Sequence, residues 1–168
     1  GIRILKNKNA DDLPVDEANL LMPYVYEKLE QRTTAMAGYA QAIKYYEERI
    51  AGIEKLMPVD AARLREQFMT GGVEGIAVDR EVLDLKDKLP EAFFANFKVV
   101  ASFQPHLERL GDPALQREYA ALNRDYADAL QKTVQSALSE KIAYLNHYMS
   151  QARFGLATVN DNSGAVPQ

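Results

Sequence analysis

The sequence predicts an all-α fold, an elongated antiparallel helical hairpin or bundle of two long helices with shorter helices packed between them. Two apolar patterns and one stop-and-start signal predict it. Met22, Leu29, Met36, Ile43, Ile50 and Met57 recur every seven residues, and Val25, Arg32, Tyr39, Tyr46 and Ile53 follow three residues after the first five. This is an a/d seam interrupted only at Arg32, and a helix is what places such positions on one narrow stripe. A second apolar line begins at Leu115 and keeps one face to Val159 in steps of three and four residues. Ahead of it, Leu110-Gly111-Asp112-Pro113 closes one helix with glycine, caps the next with Asp112 and puts Pro113 at its first position.

In chain order, residues 1–13 read as a polar tail, with Lys6-Asn7-Lys8 followed by Asp11-Asp12. A short lead-in helix from Pro14 to Leu21, capped by Asp12 or Asp16, precedes a main helix from Met22 to Met57. Pro23 fits its first turn and Pro58 stops it. Gly38 and Gly52 lie inside that helix at roughly 1 kcal/mol each relative to alanine; they mark either the close approach of another helix or tolerated substitutions. Asp60 caps a helix over Ala61–Met69 that ends at Gly71-Gly72, and Gly71–Gly75 is the least regular stretch. Asp79 starts a further helix with Val82, Leu85 and Leu89 on one side. Pro90 opens Glu91–Phe103, where Phe93, Phe94, Phe97 and Phe103 are four of the six phenylalanines. That much apolar bulk plugs a core or meets a partner.

The last helix is expected over Ala114–Val159, with Leu115, Tyr119, Leu122, Tyr126, Leu130, Val134, Leu138, Ile142, Leu145, Met149, Ala152, Leu156 and Val159 on its apolar face. The unbroken steps of four from Leu122 to Ile142 raise the local period above 3.5 and predict a loss of left-handed supercoil. Asn160–Gln168 reads as a disordered tail, leaving residues 14–159 as a single helical bundle domain. Helices of about 69 Å and 54 Å at 1.5 Å per residue exceed the roughly 40 Å width of a compact chain this long, hence the elongated expectation.

The chemistry is bounded by composition. The chain has 168 residues, 47% hydrophobic and 26% charged, net charge −4, and neither cysteine nor tryptophan, which removes thiolate ligands, disulfides and cysteine nucleophiles. His106 and His147 have Phe103 and Tyr144 three residues before them, so the Glu-x-x-His pattern of carboxylate di-metal bundles is absent; both read as surface or boundary residues. Gly71, Gly72 and Gly75 lack the Gly-Lys-Ser/Thr ending of a phosphate loop. Ser102, Ser136, Ser139 and Ser150 lie on helices without a paired histidine. Glu47-Glu48 and Asp125/Asp128 read as solvated faces. The acidic balance argues against nucleic-acid binding, and no run approaches the roughly 20 apolar residues that span a bilayer. The expectation is therefore a protein that is not an enzyme and uses no cofactor or metal. Gly1-Ile2-Arg3 without an initiator methionine suggests a processed product or excised piece, with an anchor or signal removed.

Tyrosines form the one unusual constellation: Tyr39, Tyr45 and Tyr46 on the first long helix and Tyr119, Tyr126, Tyr144 and Tyr148 on the last, placed to meet across an antiparallel hairpin. They read as core packing, or as a partner groove or small-ligand pocket between helices. The candidate interaction surface comprises Tyr39, Tyr46, Phe93, Phe94, Phe97, Tyr144 and Tyr148.

Ala42-Ile43-Lys44-Tyr45-Tyr46-Glu47 resembles the second helix of a tetratricopeptide repeat, with Glu30, Thr33 and Glu54 departing from that pattern and no equivalent 34 residues on. Tyr144–Ala157 (Tyr144-Leu145-Asn146-His147-Tyr148-Met149-Ser150-Gln151-Ala152-Arg153-Phe154-Gly155-Leu156-Ala157) resembles the closing helix of some proteobacterial envelope proteins that carry such repeats. The resemblance implies a helical, non-enzymatic region of an envelope-associated scaffold, periplasmic or membrane-anchored. The functional expectation is a protein–protein interaction or scaffold module, with self-association through its helical seams. The alternative is an extracytoplasmic helical-bundle sensor domain of a membrane receptor that binds a small ligand between helices.

Overall fold

In a computed structural model of the chain, which describes residues 13–76, 78 and 85–164, the fold is all-α. The order is α1 (Leu13–Lys28), α2 (Arg32–Glu54), α3 (Ala61–Gly71), a 3-10 turn at Val73–Gly75, α4 (Leu85–Lys88), α5 (Glu91–Ser102), α6 (Gln104–Leu110) and α7 (Pro113–Gly164). No strand occurs among the described residues. Contacts divide the chain into two compact units. One holds α1, α2 and the part of α7 from Glu140 onward; the other spans Leu56–Ser139.

In the first unit, the helix expected from Met22 to Met57 is two helices. α1 closes on Glu30, which adopts φ +60°, while the Glu30 N–H donates to the Glu27 carbonyl and the Gln31 N–H to the Tyr26 carbonyl. This is the paired bonding that ends a helix on a left-handed residue. Such a stop is normally signalled by glycine; Glu30 gave no such sign. Pro23, expected in a first turn, instead lies inside α1, where it forgoes one helical hydrogen bond.

α1 and α2 run antiparallel, with Pro23 against Gly38 and Asp16 against Tyr45 and Tyr46. Ala35, Gly38 and Ala42 sit at i, i+3 and i+7, so small side chains let the two backbones approach. A Cβ on Gly38 would stand 2.8 Å from that of Pro23, whereas one on Gly52 would touch nothing within 4 Å. Of the two readings of these glycines, close approach holds at Gly38 and tolerated substitution at Gly52. On α2 the buried line is Ala35, Tyr39, Ala42, Tyr46, Ile50 and Ile53, so Met36 and Ile43 of the expected seam are only half-buried. On α1 and at Leu29 just past its end the same seam faces outward: Met22, Val25 and Leu29 are 52%, 46% and 60% exposed. The reversal at residues 29–31 is the reason, because a heptad phase is not carried across a change of direction.

The second unit packs α3, the 3-10 turn, α4, α5 and α6 with residues 113–139 of α7. Asp60 caps α3 as expected, accepting from the Ala62 N–H at 3.0 Å, and α3 ends on Gly72 at φ +68°. Gly75 allows the following turn to lie against the carbonyl of Gln67, which a Cβ would meet at 2.7 Å; the glycines serve a turn. The helix start expected at Asp79 and Val82 lies outside the described residues, and α4 begins with buried Leu85. Pro90 precedes α5, Gly111 closes α6 at φ +64°, and Asp112 accepts from the Ala114 and Leu115 N–H groups, all in line with the sequence.

α7 extends to Gly164, so Asn160–Gly164 is helical and not part of a tail; the rest of that expected tail lies outside the described residues. Its buried positions include Ala127, Leu130, Val134, Ala137, Leu138, Lys141, Tyr144, Leu145, Tyr148, Ala152 and Val159. Leu130, Val134 and Leu138 of the expected run of fours are buried and Ile142 is half-buried; the sequence reading stepped over the neighbouring Lys141, also buried, because a lysine is an unlikely core residue. No described helix is long and apolar enough to cross a membrane.

Candidate functional site

The tyrosines expected to meet across a hairpin separate into two groups. In the first unit α2 lies antiparallel to the end of α7, Tyr39 resting against Gly155 and Tyr46 stacking on Tyr148 with ring centroids 6.0 Å apart. Tyr144 meets Tyr148 edge to face at 4.9 Å, and Tyr45 meets Tyr46 similarly at 5.4 Å. In the second unit Tyr126 packs on Phe93 and Phe97 at 5.2 and 5.3 Å, and Phe68 joins Phe94 and Phe97. The Tyr119 hydroxyl donates to the Ala101 carbonyl at 3.3 Å.

The residues proposed from sequence as an interaction surface are therefore placed inside. Tyr39, Tyr46, Phe97, Tyr144 and Tyr148 are buried, and Phe93 and Phe94 are half-buried. Their rings fill the two cores, where aromatic bulk contributes most.

A polar centre that the sequence reading missed lies among the tyrosines of the first unit. Asp16, 1% exposed, accepts from the Tyr45 hydroxyl at 2.8 Å and pairs with Lys141, 7% exposed, at 3.3 Å. Its backbone carbonyl accepts from the Tyr46 hydroxyl at 2.6 Å. Lys141 also stands 4.8 Å from the centre of the Tyr144 ring, and the Tyr148 hydroxyl donates to Glu17 at 2.9 Å. A buried carboxylate and ammonium persist when paired and hydrogen-bonded. Burial raises the tyrosine hydroxyls, and neighbouring carboxylates raise them further: Tyr45 is pushed up to about 12 by desolvation and its bond to Asp16. Tyr39, beside Glu27, and Tyr46 and Tyr144, near Asp16, move in the same direction. These phenols stay protonated as donors at neutral pH, which suits structure-holding more than proton transfer.

Each unit also carries a groove. In the second, a cleft of about 810 Å³ runs between α3, α6 and α7, with Ala61, Ala62, Ala120 and Ala127 among its walls and Arg65 donating to Asn123 at 2.8 Å. Its charges, Asp60, Arg65, Glu108, Arg124 and Asp128, are mixed in sign, and its described lining holds no serine, threonine, histidine or lysine. In the first unit a smaller groove of about 420 Å³ lies between α1 and the end of α7, lined by Tyr24, Glu27, Lys28, Tyr39, His147, Ser150, Gln151, Phe154, Gly155 and Thr158.

His106 and His147 are both exposed; His106 contacts Arg109 at 2.5 Å and His147 contacts Gln151 at 3.2 Å. Among the described residues no three His, Asp or Glu side chains are grouped to hold a metal ion. Glu47, one of the acidic pair on α2, faces Arg153 at 3.2 Å across an exposed bridge.

Compared with known proteins, the chain matches no family model, no curated protein and no solved structure.

Proposed function

We propose that the chain is a non-enzymatic helical interaction module whose contact surface in the first unit is the outer stripe of α1. The observation that carries this reading is that Met22, Val25 and Leu29, spaced as a, d and a, are each about half exposed or more. That spacing fits the apolar face of a partner helix, from another protein or a second copy. Val99, Phe103, Leu110, Leu115 and Leu122 supply a second set of exposed large apolar residues in the other unit. A stable fold gains nothing from leaving such side chains in water, and clustered exposure of this kind accompanies binding. On the C-terminal resemblance, the module belongs to an envelope-associated scaffold.

Sedimentation over a range of concentrations, with capture of partners from lysate, tests the reading. Self-association or a captured protein is expected, and its loss is expected when Met22, Val25 and Leu29 are all replaced by glutamine. These side chains face outward, so the helix content should be unchanged. A strict monomer that captures no protein removes the basis of the proposal.

A further inference from the structure

The groove between α1 and the end of α7 lies on a different face of α1 from the exposed stripe, and its chemistry is more specific. Glu27 brings a carboxylate whose position is fixed by the Tyr39 hydroxyl, which donates to it at 2.7 Å. Gln151 turns its amide nitrogen toward His147 at 3.2 Å, which leaves its Oε1 buried with no hydrogen-bond partner. That oxygen is closed off from solvent, so the acceptor the groove offers is the Glu27 carboxylate. The other walls carry two more aromatic rings, Tyr24 and the 73% exposed Phe154, beside Lys28, Ser150, Gly155 and Thr158.

A carboxylate beside aromatic faces selects for a positively charged donor. The chain itself supplies an instance, because the Lys28 ammonium stands 5.1 Å from the centre of the Tyr24 ring. Lys28 is exposed, so a ligand is able to displace it. Gly155 makes room for the Tyr39 ring that forms part of the wall: a Cβ there would clash with its Cζ. The volume, about 420 Å³, is in the range of small-molecule sites.

We propose that this groove binds a primary ammonium group carried on a small apolar body, with Glu27 accepting its N–H groups and Tyr24 and Phe154 covering the body.

The test is a titration of the full chain with benzylammonium, followed by amide chemical shifts. Saturable shifts are expected around Tyr24, Gln151, Phe154 and Gly155, with Kd on the order of 1 mM for a probe of this size. Benzyltrimethylammonium keeps the charge and the ring but has no N–H, and should bind about tenfold more weakly; benzoate, with the charge reversed, should not bind. Glu27→Gln keeps an acceptor for Tyr39 and should weaken benzylammonium about tenfold, while Lys28→Ala, which removes the competing ammonium from an exposed position, should tighten it. The proposal is overturned if benzylammonium gives no saturable shifts at the groove, if the three probes bind alike, or if Glu27→Gln, shown folded by circular dichroism, binds as the parent does.

Discussion

Glu30 holds the one positive φ found at a residue other than glycine among the described residues, and the first unit turns on it. A left-handed backbone costs an L-residue roughly 1–2 kcal/mol, which glycine avoids while adding some freedom to the unfolded chain. Glu30→Gly is therefore expected to raise stability by about 0.5–1 kcal/mol, read from the urea midpoint; a lower midpoint would mean that the turn is not formed as described. The helix glycines give a paired test. Gly52→Ala adds a Cβ in open space and should stabilise α2 by about 0.5–1 kcal/mol. Gly38→Ala drives a methyl into Pro23 and should cost about 1–3 kcal/mol. Equal effects would show that α1 and α2 do not meet at Gly38. From sequence the two were alike, since the contact that separates them comes from another helix.

Helices α1, α2 and the end of α7 are tied together by one buried pair. Lys141→Met leaves Asp16 without its ammonium and should cost roughly 3–5 kcal/mol. In Asp16→Asn/Lys141→Met the amide still accepts from Tyr45 and no charge is stranded, so part of that loss should return, a coupling of about 2 kcal/mol. Additive effects would dismiss the pair. The same helices set an alkaline limit. Tyr39, Tyr45, Tyr46 and Tyr144 hold their protons more tightly when folded than at the ordinary value of 10.0, so the unfolded chain releases protons first. Their stabilisation is complete below that value and is lost as pH rises through it toward about 12, where Tyr45 titrates. The urea midpoint should therefore fall between about pH 9 and pH 11, less steeply in Tyr45→Phe; a flat profile would contradict the burial of these rings. Element boundaries marked by Asp60, Pro90, Gly111 and Asp112 were legible because each carries its own capping chemistry. The break at Glu30 and the place of Lys141 in the stripe were not, because one lacks the usual glycine and the other is made tolerable by Asp16, 125 positions away.

For the whole chain, the sequence conveyed an all-α fold with apolar stripes at helical spacing, and the antiparallel meeting of Tyr46 with Tyr148. It did not convey which stripe faces in. Met22, Val25 and Leu29 have the same seam pattern as Tyr39, Tyr46 and Ile53, yet the first three are exposed and the last three buried, a distinction made by the reversal between α1 and α2. The candidate surface drawn from the largest aromatics became core because the rings that bury most area are taken up by the fold, and the smaller aliphatic stripe is left exposed. Photo-crosslinking tests the proposed role of that stripe most directly, with benzoylphenylalanine placed at Val25 and, as a control, at the exposed Glu48 of α2. The account predicts a discrete protein adduct, to a second copy or another protein, from position 25 and none from position 48. Equal labelling from both positions, or none from either, would contradict it.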